Sequence, residues 1–137
     1  MKTVVISIIL FVCSAIHCSS QVYIGKSKQE IREMMKEERK EFIEDTSSKN
    51  TVYNLLKYVD RMDTQTLLFL FDENDICYLS KLMCDYSLLN KITKQLNEAY
   101  TRESDSLWHI KEKDKVISIT MKKEDWFFTV QTKEIKE

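Results

Sequence analysis

The side chains best suited to covalent chemistry are two thiols and one imidazole. Cys77 and Cys84 lie in one segment, and His109 follows Trp108 in another. A histidine can activate a cysteine as a nucleophile, which would give a Cys/His hydrolase. No third residue that would orient the imidazole can be identified. The hydrolase is therefore the least favoured hypothesis, and the chain is predicted not to be an enzyme.

The same residues lack the spacing of a metal site. Two cysteines separated by six residues and one distant histidine do not form a recognised zinc pattern. The acidic segment 72–75 resembles the start of a calcium loop, but Cys77 stands where an EF-hand requires glycine. That segment is predicted to be a hairpin turn. Since Gly25 is the only glycine, a glycine-rich phosphate loop is also excluded, and no cofactor is expected.

The pairing of the two thiols stays open. In one continuous strand they would lie about 23 Å apart on opposite faces, and in a helix about 10.5 Å apart. A disulfide requires Cα atoms within roughly 7 Å, so a Cys77–Cys84 bridge needs a turn or bulge between them. Two buried thiols, a disulfide and a reactive thiol are the three alternatives.

The segment 67–71 is apolar at every position. An antiparallel strand with one wet face would alternate, so both faces of this strand need cover. Either helices cover one face and curvature or loops close over the other, or the second face is a docking surface carrying Leu68 and Leu70. Aromatic residues are either core residues or anchors for such a contact. The predicted interaction residues are Leu68, Leu70, Trp108, Trp126 and Phe128.

The first twenty residues have the pattern of a secretory signal. Lys2 precedes an apolar run over 3–12, and small residues follow up to Ser20. Cleavage after Ser20 would leave a single domain over 21–137, secreted or periplasmic. A lipid-anchored form at Cys18 is the alternative, although His17 is a poor neighbour for that cleavage.

Charge and hydropathy limit the partners. Removing Lys2 changes the formal net charge from −1 to −2, without the basic excess of a nucleic-acid-binding protein. No apolar run after residue 21 reaches the roughly 20 residues needed to span a membrane. We therefore expect no nucleic acid and no membrane span, and either an unknown protein partner or self-association.

Periodicity predicts an α+β domain with the order α-βββ-α-βββ. Ser27 and Glu30 form a capping-box pattern that opens a helix over 28–43. Asp85 or Ser87 caps a second helix, whose apolar residues follow the helical period as far as Tyr100. Strands are predicted at 52–59, 66–71, 76–82, 107–111, 116–121 and 126–132, with 101–105 left as a polar connection.

The segment 23–31, with its extended residues, glycine and capped helix, resembles the opening of small exported bacterial domains. These are the β-lactamase-inhibitor-like and outer-membrane-assembly lipoprotein families, in which helices precede an antiparallel sheet. The whole mature chain also resembles small secreted proteins of Gram-negative bacteria that begin with glutamine. The resemblance implies a periplasmic or surface location and no particular activity.

The leading hypothesis is an exported, non-enzymatic protein-binding or interaction module that acts through a sheet face. The alternative is a periplasmic carrier of a small apolar ligand, with its pocket between a curved sheet and the second helix.

Overall fold

The computed structural model describes residues 22–47 and 52–136, and the predicted signal peptide lies outside them. The described residues form two helices, eight strands and a short 3-10 turn at Tyr86–Leu88. The helices are α1 (Lys28–Glu38) and α2 (Leu89–Ala99). The strands are β1 (Phe42–Glu44), β2 (Leu55–Asp60), β3 (Gln65–Phe71), β4 (Cys77–Asp85), β5 (Thr101–Ser104), β6 (Leu107–Glu112), β7 (Lys115–Lys123) and β8 (Phe127–Ile135).

All eight strands belong to one antiparallel sheet in the order β1-β2-β3-β4-β8-β7-β6-β5. The sheet consists of two four-stranded meanders, each preceded by one helix, which join where β4 pairs with β8. The predicted balanced α+β fold with the order α-βββ-α-βββ is wrong. The protein is strand-rich, and each half contains four strands.

The first additional strand is β1, which falls at the end of the predicted first helix. The helix ends at Glu38, and Arg39 leaves the helical conformation with φ −125° and ψ 57°. Phe42 then pairs with Asp60 of β2 and is buried in the core. An apolar residue at this position suits a helix stripe and a strand equally well, so local periodicity could not identify the strand.

The second additional strand is β5, at the opposite edge of the sheet. All four of its residues are exposed, and it pairs only with β6. Because neither face is buried, the segment lacks the alternation by which a strand is recognised.

The predicted start of α1 is confirmed. Ser27 Oγ accepts a hydrogen bond from the Glu30 backbone N–H, and Glu30 Oε2 accepts one from the Ser27 N–H. Gly25 has φ +85°, a conformation that glycine adopts without strain, and its N–H bonds to the Cys77 carbonyl at 2.8 Å. This turn connects the start of α1 to β4.

Both helices pack on the same side of the sheet. Directly paired residues on neighbouring antiparallel strands share a face, so the register identifies the side chains beneath the helices. Ile31 and Met35 of α1 and Ile92 and Leu96 of α2 belong to the same buried cluster as these side chains. One row across this face consists of Leu56, Phe69, Ser80, Thr132, Ile119 and Trp108.

The register of β3 and β4 shifts between Leu70 and Phe71. Leu70 pairs with Leu79 and Phe71 with Cys77, which leaves one extra residue on β4. Such a bulge changes which face the following residue points to. Cys77 and Cys84 are therefore both buried, and both are free thiols in the structure.

The hairpin turn predicted at 72–75 is confirmed. Asp72 Oδ1 accepts hydrogen bonds from the backbone N–H groups of Asn74 and Ile76, at 2.8 and 3.0 Å.

Neither helix of the described residues has the length and apolar character needed to cross a bilayer.

Candidate functional site

The candidate site is the side of the sheet opposite the helices, which we call the open face. Within residues 22–47 and 52–136, neither helix covers it. Leu68 and Leu70 lie on this face, because Leu67, Phe69 and Phe71 point into the core. Both leucines are only half-buried. The structure thus places Leu68 and Leu70 on the face of β3 opposite the helices, which is compatible with both sequence-based interpretations of that face.

The N-terminal half of the open face is apolar. Leu55, Leu70 and Leu79 are directly paired and form one row across β2, β3 and β4. Val59 and Met83 lie on either side of Thr66, two rows farther along the same face. These side chains are half-buried by their neighbours alone, so a partner could bury them further.

Lysines make the same face basic. Lys57 and Lys81 are the residues directly opposite Leu68 on its two neighbouring strands. Among the strand residues of the described chain, only two carboxylates lie on the open face, those of Glu103 and Asp85. The Asp85 carboxylate already accepts a hydrogen bond from the Ser87 N–H. The lysines of the open face are Lys57, Lys81, Lys111, Lys122 and Lys133.

Two of these lysines have acidic neighbours. Lys57 Nζ lies 3.0 Å from Asp45 Oδ2, and Lys122 Nζ lies 3.2 Å from Glu124 Oε1. No carboxylate of the described residues lies within 4 Å of the other three ammonium groups. A chain with a net charge of −1 therefore presents a positive, partly apolar face.

A depression of about 270 Å³ lies in the C-terminal half of the open face, beside His109. His109 Nδ1 is buried and lies 2.7 Å from Glu103 Oε1, without the alignment of a hydrogen bond. The contact is therefore an ion pair only when the imidazole is protonated. Ser118 is the residue opposite His109 on β7, and it also lines the depression. The depression could accept a protruding side chain of a partner.

Exposed apolar residues lie at one end of the open face. Trp126 is 87% exposed in the turn before β8, and Met62 is exposed in the turn after β2. Phe127 begins β8 and pairs with Asp85, which places its side chain on the open face. A cavity of about 290 Å³ lies between Trp126, Phe127 and Met83. The apolar half of the face therefore continues to this end of the sheet.

The five predicted interaction residues do not share one surface. Trp108 and Phe128 are both 0% exposed and lie beneath the helices. Leu68 and Leu70 are on the open face, and Trp126 is at its end. The sequence-based selection took Phe128 rather than its neighbour Phe127, since the side of the sheet that each phenylalanine faces depends on strand register.

Neither thiol is near His109, because the sheet separates them. Cys77 and Cys84 belong to the core beneath the helices, whereas His109 lines the open face. Burial raises the pKa of Cys77 to about 11. Burial, together with the nearby Asp60 carboxylate, raises the pKa of Cys84 to about 12. At neutral pH both thiols are protonated and are poor nucleophiles.

The space between the sheet and α2, where the carrier hypothesis expected a pocket, holds packed side chains. Trp108, Ile92 and Leu96 are buried there. Among the described residues, no group of three or more His, Cys, Asp or Glu side chains could hold a metal ion.

Comparison with known proteins gave no match: no family model, no curated protein and no solved structure is significantly similar to this chain.

Proposed function

We propose that this chain is an exported, non-enzymatic protein-binding module that acts through the open face of its sheet. The partner surface would combine apolar side chains with carboxylates. The observation that carries this proposal is Leu68, a half-buried leucine on the face that the two described helices leave open, with a lysine directly opposite it on each side. Export is supported by the apolar run over 3–12 and the small residues that follow it.

Charge complementarity argues for an acidic partner rather than a second copy of the chain. Two open faces placed against each other would bring lysines together, and juxtaposed like charges oppose association. A partner with carboxylates would instead neutralise Lys81, Lys111 and Lys133, which lack a carboxylate within 4 Å in the described residues. Apolar side chains of the partner would cover Leu55, Leu70 and their neighbours.

The variant Leu68→Glu tests the proposal without destroying the sheet. A glutamate at this position stands opposite Lys57 and Lys81, so it gains two favourable cross-strand pairs. The same change removes an apolar contact and repels an acidic partner. Asn90→Glu, on an exposed position of α2, is the matched control because it adds the same charge away from the open face.

The probe is a short synthetic peptide of alternating leucine and glutamate, compared with one in which lysine replaces glutamate. We expect the acidic peptide to bind and Leu68→Glu to weaken its binding about tenfold, the equivalent of about 1.4 kcal/mol. Asn90→Glu should bind like the parent protein. Equal binding of the two peptides, or unchanged affinity in Leu68→Glu, would refute the proposal.

Sedimentation of the unliganded protein provides an independent test. The proposal predicts a monomer, since the lysines of two open faces would repel each other. If the protein is instead a dimer that dissociates when Leu68 is changed to Glu, the partner of the open face is a second copy of this chain and not an acidic protein.

A further inference from the structure

A separate surface lies on the helix side of the sheet, between α1, the edge strand β1 and its neighbour β2. It is a groove of about 500 Å³, which we call the edge groove. Its floor is apolar and aromatic, formed by the buried side chains of Met35, Phe42 and Tyr58. Its rim carries four cations, Arg32, Lys36, Lys40 and Arg61.

Two elements bring these cations together. Arg32 and Lys36 are four residues apart on α1 and therefore share one side of the helix. Lys40 follows in the connection to β1. Arg61 comes from the end of β2, where its backbone N–H bonds to the Glu41 carbonyl at 3.1 Å.

The positive charge of the rim is largely uncompensated. Glu44 is the one carboxylate that lines the edge groove, and its Oε1 lies 3.1 Å from Arg32 Nη2. No carboxylate of the described residues lies within 4 Å of the charged groups of Lys36, Lys40 or Arg61. Three cations therefore surround one cavity without an acidic neighbour at contact distance.

Tyr58 adds a hydrogen-bond donor to the groove. Its side chain lines the groove and is 5% exposed, yet its hydroxyl makes no hydrogen bond to a described residue. Burial, with the Glu44 carboxylate nearby, raises the pKa of Tyr58 to about 12. The phenol therefore keeps its proton and can donate a hydrogen bond into the groove.

We propose that the edge groove binds an organic anion that carries at least two phosphate, sulfate or carboxylate groups. Arginine and lysine donate charge-assisted hydrogen bonds to such oxygens, and the phenol supplies one more donor. The apolar floor would contact the carbon skeleton between the charged groups. This site lies on the opposite side of the sheet from the open face, so it does not depend on the proposed function.

Calorimetric titration of the full mature chain tests the site with three probes: pyrophosphate, citrate and a sulfated disaccharide. The comparison distinguishes the three anionic groups. We expect at least one probe to bind at a one-to-one ratio, with affinity falling as salt is added. Lys36→Gln and Arg61→Gln should each weaken binding about tenfold, because each removes a charge-assisted hydrogen bond.

Two further variants separate a built site from general attraction to lysines. Lys94→Gln removes an exposed cation of α2 outside the groove and should leave binding unchanged. Tyr58→Phe removes only the hydroxyl and should weaken binding several-fold, with the circular dichroism spectrum unchanged. Absence of binding by all three probes, or equal losses in Lys94→Gln and Arg61→Gln, would overturn the proposal.

Discussion

The indole Nε1 of Trp108 donates a hydrogen bond to Asn97 Oδ1 at 2.9 Å, which ties the start of β6 to α2. Trp108 is one of the largest fully buried side chains in the described chain. Its ring also contacts the guanidinium of Arg102 on β5, at 5.3 Å from the ring centroid. Trp108 thus links α2, β5 and β6 in the C-terminal half of the fold.

The first prediction concerns this bond. Asn97→Ala should lower the free energy of unfolding by about 1–3 kcal/mol, because it leaves the indole N–H without its acceptor. Urea unfolding followed by circular dichroism measures the loss. Asn90→Ala is the control, because it makes the same asparagine-to-alanine change at an exposed position of the same helix and leaves this bond intact. It should change the free energy of unfolding by less than about 0.5 kcal/mol. Equal stabilities of the two variants would contradict the prediction.

The second prediction concerns the two tryptophans, which differ in exposure from 0% at Trp108 to 87% at Trp126. Acrylamide should quench one emitting population strongly and leave the other protected. Trp126→Phe should remove the quenchable, red-shifted emission and leave the blue-shifted emission of Trp108, with unfolding by urea unchanged. Strong quenching in Trp126→Phe would show that the β6 tryptophan is not buried.

The third prediction concerns acid stability and Asp60, a buried carboxylate at the end of β2. Burial raises its pKa, but hydrogen bonds from Thr64 and Gln65 outweigh that effect, and its pKa lies below the ordinary value. The backbone N–H groups of these two residues donate to Asp60 Oδ1 at 2.8 and 2.9 Å. The carboxylate therefore binds its proton less readily in the folded protein than in the unfolded chain.

A lowered pKa in the folded state stabilises the protein above the unfolded pKa of about 3.9, and this stability is lost as the pH falls through the folded value. Between about pH 5 and about pH 3, the variant Asp60→Asn should therefore lose less stability than the parent protein. Urea unfolding at both pH values makes the comparison. Asp125→Asn, exposed in the turn before β8, should keep the acid sensitivity of the parent. An equal loss of stability on acidification in Asp60→Asn and in the parent protein would contradict the lowered pKa of Asp60.

The fourth prediction concerns the thiols. With the pKa of Cys77 raised to about 11 and that of Cys84 to about 12, neither should react with a disulfide reagent in the native protein near pH 8. Both should react once urea unfolds the chain, and reduction should not change the intact mass. Because the folded pKa values exceed the unfolded value of about 8.5, stability should decline as the pH rises above that value. Rapid labelling of either thiol in the native protein would show that Cys77 and Cys84 are not both buried.

Local sequence predicted the elements whose signals lie within a few residues. The capping box at Ser27 and Glu30 and the turn at 72–75 both form as expected. Asp85 caps the segment that leads into α2 by accepting a hydrogen bond from the Ser87 N–H. All six predicted strands exist, with ends that differ by up to three residues. These features depend on hydrogen bonds and periodicities that a short peptide contains.

The edge strands and the composition of the two faces were decided by tertiary structure. β1 and β5 exist because β2 and β6 provide neighbouring strands for their backbone groups, and their side chains give no strand pattern. Register placed Phe127 on the open face and Phe128 in the core, and a bulge buried Cys77 with Cys84. The sequence by itself determined the start of α1, the position of α2, six strands of the described chain and the turn at 72–75, since these follow from local hydrogen bonds and periodicity. Which lysines, leucines and aromatic residues share a surface was decided only when strands distant in sequence paired, because one residue of register inverts every side chain in a strand.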